Sequence, residues 1–308
     1  MRPKVSIIGA GNVGAACAMD IARHGYADVV LMDIVEGLAQ GKALDILQSG
    51  PLHGSDAYLI GTTNYEDTAD SRIVVVTSGV ARKPGMSRDD LVLTNRDIVR
   101  EVVRQVVTLS PRCILLAVTN PLDAMAYLAF KVSGFPRERV VGMSGILDST
   151  RFRTFIAREL GVSVDDITAF ILGGHGDTMV PIPRFSTVSG MPITQLLSED
   201  TIERLVNRTI QGGGEIVELL KAGSAYQAPG AAVAQMVEAI LLDRKRVLPC
   251  SVYLDGEYGL RDVFLGVPVR LGSDGMEKVF EVALSPKEKA ALERSAQAVR
   301  ELIKVMKL

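Results

Sequence analysis

Short apolar runs rich in β-branched residues recur through the first half of the chain: Val5–Ile8, Val29–Met32, Ala57–Ile60, Ile73–Val76, Ile114–Val118 and a weaker sixth, Val140–Met143. Successive rather than alternate positions are apolar, so both faces of each run must be covered, as in buried parallel strands. Segments of helix length separate most of them, at Val13–Arg23, Glu36–Gln48, Arg96–Val107 and Leu122–Val132. Strand and helix in alternation predict an α/β fold with a doubly wound parallel sheet. After Met143 the pattern changes. Long helices over Asp148–Leu160, Glu199–Ala222 and Pro286–Met306 flank apolar strands with antiparallel-type turns, such as Asp255-Gly256-Glu257-Tyr258-Gly259. Two domains are expected, 1–142 and an α+β unit over 143–308.

Composition narrows the class. A chain of 308 residues can bury a large core, and 47% hydrophobic with 23% charged residues is ordinary for a globular protein and excludes disorder. Lys+Arg 34 against Asp+Glu 36 leaves a net charge of −2, which offers no global attraction to nucleic acid or an anionic membrane. Cys17, Cys113 and Cys250 have neither CxxC nor metal-type spacing and read as free thiols. Met1-Arg2-Pro3-Lys4 leads straight into a strand, and no apolar run approaches the roughly 20 residues of a membrane helix. A cytoplasmic location is the expectation.

Gly9-Ala10-Gly11-Asn12-Val13-Gly14 fits G-x-G-x-x-G, directly after a strand and opening a helix. Such glycines permit a tight turn and let a pyrophosphate approach helix N-terminal N–H groups. The motif is weak alone, but Asp33 ends the second strand about 20 residues further on, where a carboxylate accepts from ribose hydroxyls and repels a 2′-phosphate. NAD is therefore expected rather than NADP. Gly37-Leu38-Ala39-Gln40-Gly41-Lys42-Ala43 is one residue short of a P-loop and ends without a metal-binding hydroxyl, so it reads as ordinary helix.

The chain holds three histidines. His24 precedes Gly25 and reads as a helix C-terminus, His53 lies in a turn-rich stretch, and His175 stands in Gly173-Gly174-His175-Gly176-Asp177-Thr178. An imidazole that shuttles a proton near neutral pH is what alcohol–ketone redox chemistry needs, which makes His175 the candidate. Gly79–Asp90 follows a strand and reads as a loop beside the cofactor crevice; its Arg82 and Arg88 suit an anionic substrate, and Lys83 is read as solvated. Asp148 and Arg151 open a helix three residues apart, so they share a face. Arg151 could grip a substrate carboxylate with two hydrogen bonds or simply pair with Asp148, and spacing does not decide between them.

Together the glycine motif, Asp33, Ala81–Asp90, Thr119-Asn120-Pro121-Leu122-Asp123, Leu147–Arg153 and Gly173–Pro181 resemble the lactate/malate dehydrogenase superfamily along the whole chain, most closely its lactate-dehydrogenase-like malate dehydrogenases. The resemblance implies a Rossmann-type NAD-binding domain followed by an α+β substrate domain. It makes His175 the proton acceptor and donor, Asp148 the carboxylate that orients it, and Arg151 the clamp on the substrate's C1 carboxylate. Arg88 polarises the C2 oxygen from a closing loop. Asn120 holds the same oxygen or the nicotinamide region, with Asn95, Val118 and Thr119 at the cofactor site and Ser224 at a pocket wall. Homodimers or homotetramers are implied, and the apolar excess of Val13–Arg23 and Glu199–Ala222 agrees with buried contacts.

Arg82 decides between substrates, since lactate enzymes of this family carry Gln there. A C4 dicarboxylate brings one more negative charge into a closed site, where an unpaired carboxylate costs several kcal/mol, and Arg82 would neutralise it. Opposite a methyl group the same Arg would stay unpaired, which selects against pyruvate. The expected reaction is reversible oxidation of (S)-malate to oxaloacetate, with no metal. L-Lactate dehydrogenase is the alternative within the class. A non-catalytic NAD-binding redox sensor would need the glycine fingerprint without His175, Asp148, Arg151 and Arg88; an NAD-dependent hydrolase would need a metal-binding Cys or His group that the second half lacks.

Overall fold

The computed structural model describes residues 2–80 and 87–308, with Arg88 described by its backbone alone. In chain order the first half contains β1 (Lys4–Ile8), α1 (Asn12–His24), β2 (Asp28–Met32), α2 (Leu38–His53), β3 (Leu59–Thr62), β4 (Ile73–Val76), α3 (Arg88–Leu109), β5 (Ile114–Ala117), α4 (Leu122–Ser133) and β6 (Val140–Gly142). The second half contains α5 (Gly145–Leu160), β7 (Ile167–Thr168), β8 (Ile171–Gly173), β9 (Met179–Pro181), β10 (Thr187–Val188), β11 (Met191–Pro192), α6 (Glu199–Leu220), α7 (Gln227–Leu241), β12 (Arg246–Asp255), β13 (Arg261–Gly272), β14 (Gly275–Val279) and α8 (Pro286–Met306).

The first six strands are parallel in the order β3-β2-β1-β4-β5-β6, the Rossmann arrangement, with the order reversing between β1 and β4. All four residues of β4 and of β5 are buried, as strands covered on both faces require. The sheet does not stop at Gly142. It crosses into the second half through an antiparallel bridge from Gly142 to Ser251 and continues through β12, β13, β8 and β9. One sheet therefore ties the two halves together, a continuity the local pattern did not announce.

Several elements differ from the expected bounds. Helix α3 begins eight residues early, because Ser87 and Asp90 form a capping box: Asp90 N–H donates to Ser87 Oγ at 3.0 Å and Ser87 N–H donates to Asp90 Oδ2 at 3.1 Å. Arg88, Asp89 and Asp90 are thus the first helical turn and not loop. Helix α2 runs on through Pro51 to His53, so that histidine closes a helix rather than sitting in a turn. Helix α5 starts three residues before Asp148, which puts that carboxylate in the first turn, where the helix dipole favours it. Helix α7 has no counterpart among the expected helices; Pro229 sits in its first turn, where a missing N–H is harmless.

Gly230 lets α7 press on α1: a Cβ there would lie 2.6 Å from Ala16 Cβ and 2.9 Å from Cys17 N. An apolar face of α1 is thereby buried against α7 within the chain. The three cysteines are buried and free, and burial pushes the thiols of Cys113 and Cys250 up to about 12, so they are inert packing groups.

Candidate active site

The carboxyl ends of the parallel strands converge on one edge of the sheet. Gly9–Gly14 follow β1, Asp33 follows β2, Thr77–Val80 follow β4 and Val118–Asn120 follow β5. In an open α/β sheet this edge, at the reversal of strand order, is where ligands bind.

The glycines of the first turn have separable reasons. A Cβ on Gly9, which has φ 114°, would come within 2.6 Å of Thr77 Oγ1, and one on Gly14 would meet Gly9 O at 1.9 Å. Both are demanded by packing of turn against strand and helix. Gly11 is different: it is exposed and a Cβ there would meet nothing within 4 Å. Fold packing does not require glycine at that position, but close approach of a pyrophosphate to the N-terminus of α1 does. Gly11 also gives α1 no side-chain cap, so its first N–H groups stay available to an anion. Asn12 is exposed beside it and Val13 half-buried.

Asp33 braces this turn. Its Oδ2 accepts from Ala10 N–H at 2.7 Å and its Oδ1 from Val35 N–H at 3.0 Å. Lys42, set aside as part of a false P-loop, donates to Ala10 O at 2.8 Å and fixes the same turn from α2. A groove of about 360 Å³ opens beside Asp33, lined by Gly9, Gly11, Val35, Leu38, Val80 and Ile98 among others. Carboxylate, open Gly11, bare helix N-terminus and mostly apolar groove fit a dinucleotide.

Asn95 sits deeper than expected. It is 1% exposed; its Oδ1 accepts from Val80 N–H at 2.8 Å, and its Nδ2 donates to Val80 O at 3.2 Å and Asn120 O at 2.7 Å. Through these bonds it clamps the strand ends together. Thr119 Oγ1 donates to Ser78 O at 2.6 Å, Val118 is buried, and Asn120, which precedes Pro121 through a cis peptide, is exposed.

The second half supplies an imidazole–carboxylate pair. His175 follows β8, and its Nδ1 lies 3.0 Å from Asp148 Oδ2. A carboxylate only accepts, so Nδ1 carries the proton and Nε2 is the nitrogen open to a substrate. The other oxygen, Oδ1, accepts from Arg151 Nη1 at 3.1 Å, with the Asp148 side chain 1% exposed. Asp148 thus bridges His175 and Arg151, and Arg151 forms the i,i+3 pair with it through Nη1. Burial works against charge on His175, but the charge and hydrogen bond of Asp148, with Asp123 behind, outweigh it, and the imidazole is held above its ordinary value.

Sequence reading missed Asp123. Its Oδ2 accepts from His175 N–H at 2.8 Å and its Oδ1 from Ser251 Oγ at 2.6 Å. Only its place in the quoted Asn-Pro-Leu-Asp stretch, directly opening a helix, could have marked it. Ser224 is exposed after α6. Arg82 and Lys83 lie outside the described residues, and so does most of the expected closing loop.

Residues 3–142 match the family model described as lactate/malate dehydrogenase, NAD binding domain, and residues 146–307 match lactate/malate dehydrogenase, alpha/beta C-terminal domain. A malate dehydrogenase of Roseiflexus sp. (strain RS-1) is 57% identical over 307 residues, covering 100% of this chain and 99% of the relative. The malate dehydrogenase structure from Salinibacter ruber superposes with a TM-score of 0.95 at 51% identity, covering 99% of this chain and 97% of that one. The lactate dehydrogenase of Cryptosporidium parvum, complexed with lactic acid and nicotinamide adenine dinucleotide, superposes at 0.96 with 39% identity, covering 100% and 98%. With both its NAD-binding domain and its alpha/beta C-terminal domain matched, the chain belongs to the lactate/malate dehydrogenase family.

Proposed function

We propose that the chain is an NAD-dependent malate dehydrogenase that interconverts (S)-malate and oxaloacetate, with His175 as the acid–base group. The observation that carries the mechanism is the Arg151–Asp148–His175 chain of contacts, at 3.1 and 3.0 Å. NAD, which the Gly9–Gly14 turn, Asp33 and the adjoining groove would hold, would supply the hydride acceptor or donor for C2 of the substrate. In oxidation, neutral His175 takes the C2 hydroxyl proton on Nε2 and becomes a cation balanced by Asp148; in reduction the same proton returns. Arg151 holds the C1 carboxylate through donors not used by Asp148. Arg88, at the first position of α3, and Asn120 are assigned to the C2 oxygen, and Arg82 to the C4 carboxylate.

Curated relatives matching the whole chain at 53–58% identity are malate dehydrogenases, and that favours the dicarboxylate over lactate. The lactate enzyme of Cryptosporidium parvum shares the fold almost as well, so fold alone does not choose. The deciding assay is NADH oxidation at 340 nm with oxaloacetate and pyruvate in parallel, then NADPH with the better substrate. An oxaloacetate rate two or more decades higher is expected; comparable rates with pyruvate would overturn the malate reading.

The division into a cofactor half, 1–142, and a substrate half, 143–308, is part of this proposal; the end of parallel pairing at Gly142 supports it. So is assembly into a homodimer or homotetramer, for which α2 is the better candidate surface than α1: its Leu44 and Leu52 are 55% and 86% exposed, while α1 is covered by α7. Among the described residues no helix is long and apolar enough to cross a membrane.

A further inference from the structure

Asp123 belongs to the opposite half of the chain from His175, yet both of its oxygens are spent on the second half. Position 2 of α4 brings it under the β8–β9 connection. Its Oδ2 takes the main-chain N–H of His175 at 2.8 Å, and Ser251 of β12 donates to its Oδ1 at 2.6 Å. The preceding peptide is held in the same manner from α8, where Ser295 Oγ accepts from Gly174 N–H at 2.8 Å. Gly174 leaves the space for this: a Cβ there would lie 3.2 Å from Asp123 Oδ2. A fully buried carboxylate is costly, and a neutral amide could fill the same two bonds. What the amide could not supply is charge.

We propose that Asp123 is a second positioning carboxylate for His175, fixing the loop through the main chain and adding negative charge behind the imidazole that Asp148 already faces. The inference rests on His175 being the acid–base group. The ionisable groups around Asp123 are His175 on the connection and Asp148 on α5, with Arg151 one step further out. Strand β12 and helix α8 meet it and its loop with Ser251 and Ser295, which do not titrate. Burial pushes the Asp123 carboxyl up to about 6, against the Ser251 and His175 bonds that favour its charged form. Its charge in turn raises His175. Asp123 touches no reacting atom; it acts through His175.

The three histidines make the test direct. Cε1–H resonances of His24, His53 and His175 in the full-length protein are titrated by NMR, the His175 signal being the one lost in His175→Gln. In Asp123→Asn, which keeps an acceptor for His175 N–H, the His175 midpoint should fall by about half a pH unit or more, and the acid limb of kcat/KM for malate should move with it. Ser251→Ala, which leaves the loop bond intact, should shift both in the same direction by less. An unmoved midpoint in both variants would overturn the role of Asp123 and leave it a structural acceptor. A wild-type kinetic limb that does not coincide with the His175 midpoint would instead overturn the acid–base reading on which the proposal rests.

Discussion

Asp148 and His175 come from different elements 27 residues apart, α5 and the β8–β9 connection, and meet with Nδ1 and Oδ2 at 3.0 Å. The pair sets both the tautomer and the charge of the imidazole. Replacing Asp148 by Asn removes the charge that favours imidazolium and allows the ring to turn. Oxaloacetate reduction at pH 7 should fall by about 10²–10⁴-fold, as loss of a positioned proton donor does. Steady-state kcat/KM checks it; a loss under tenfold would contradict the role.

The upward shift of His175 has a sign that can be read in both directions of the reaction. Oxidation requires the neutral ring, so its rate rises as pH climbs through the His175 value; reduction requires the cation and falls over the same interval. Because the folded value is the higher one, the stability contributed by the charged pair is complete below about pH 6.5 and is lost as pH rises through the folded value. Single-turnover hydride transfer measured in each direction should give opposed pH profiles. A shared optimum would be inconsistent with one group serving as both base and acid.

Arg151 lies along α6, where three glycines follow one another. A Cβ on Gly212 would sit 3.2 Å from Arg151 Cδ, whereas one on Gly214 would meet nothing within 4 Å. Alanine at either position favours the helix by about 1 kcal/mol over glycine. Gly212→Ala should displace the guanidinium by a few tenths of an ångström and raise the KM for oxaloacetate several-fold. Gly214→Ala should raise the melting temperature and leave KM as it is. Equal KM values in the two variants would remove α6 from the placement of Arg151.

Asp33 both braces the glycine turn and faces the groove where ribose would lie. Asp33→Asn removes the charge that repels a 2′-phosphate while keeping an acceptor for Ala10 N–H. The ratio of kcat/KM for NADPH to that for NADH should rise by about tenfold or more. The two cofactors compared at fixed oxaloacetate decide it, and an unchanged ratio would place the discrimination elsewhere.

Arg82→Gln should cut kcat/KM for oxaloacetate by about 10²-fold or more, since a carboxylate left without its cation in a closed site costs several kcal/mol. Pyruvate turnover should rise. Parallel assays with the two keto acids measure both, and a variant that keeps its preference for oxaloacetate would show that another cation neutralises the C4 group.

Local pattern was enough for the parallel strands and the glycine turn with its acidic partner, and it singled out His175, Asp148 and Arg151, which the fold brings into contact. Those signals are short-range: two-sided apolar runs, a turn of fixed spacing, a pair three residues apart on a helix. What no window of sequence held was which distant groups would be brought to them. Asp123 meets His175 across 52 residues and Ser251 across 128, because one sheet passes from β6 into β12 and carries both under the same loop. Gly230 seats α7 against α1, where a Cβ would strike Ala16 and Cys17, and no local window shows that contact. Asn95, expected at the cofactor site, also joins the strand ends through Val80 and Asn120, which no local window shows. Residue types carried the chemistry; long-range strand pairing and close packing chose the partners, since a buried carboxylate or amide is satisfied by whatever the fold brings within hydrogen-bond reach.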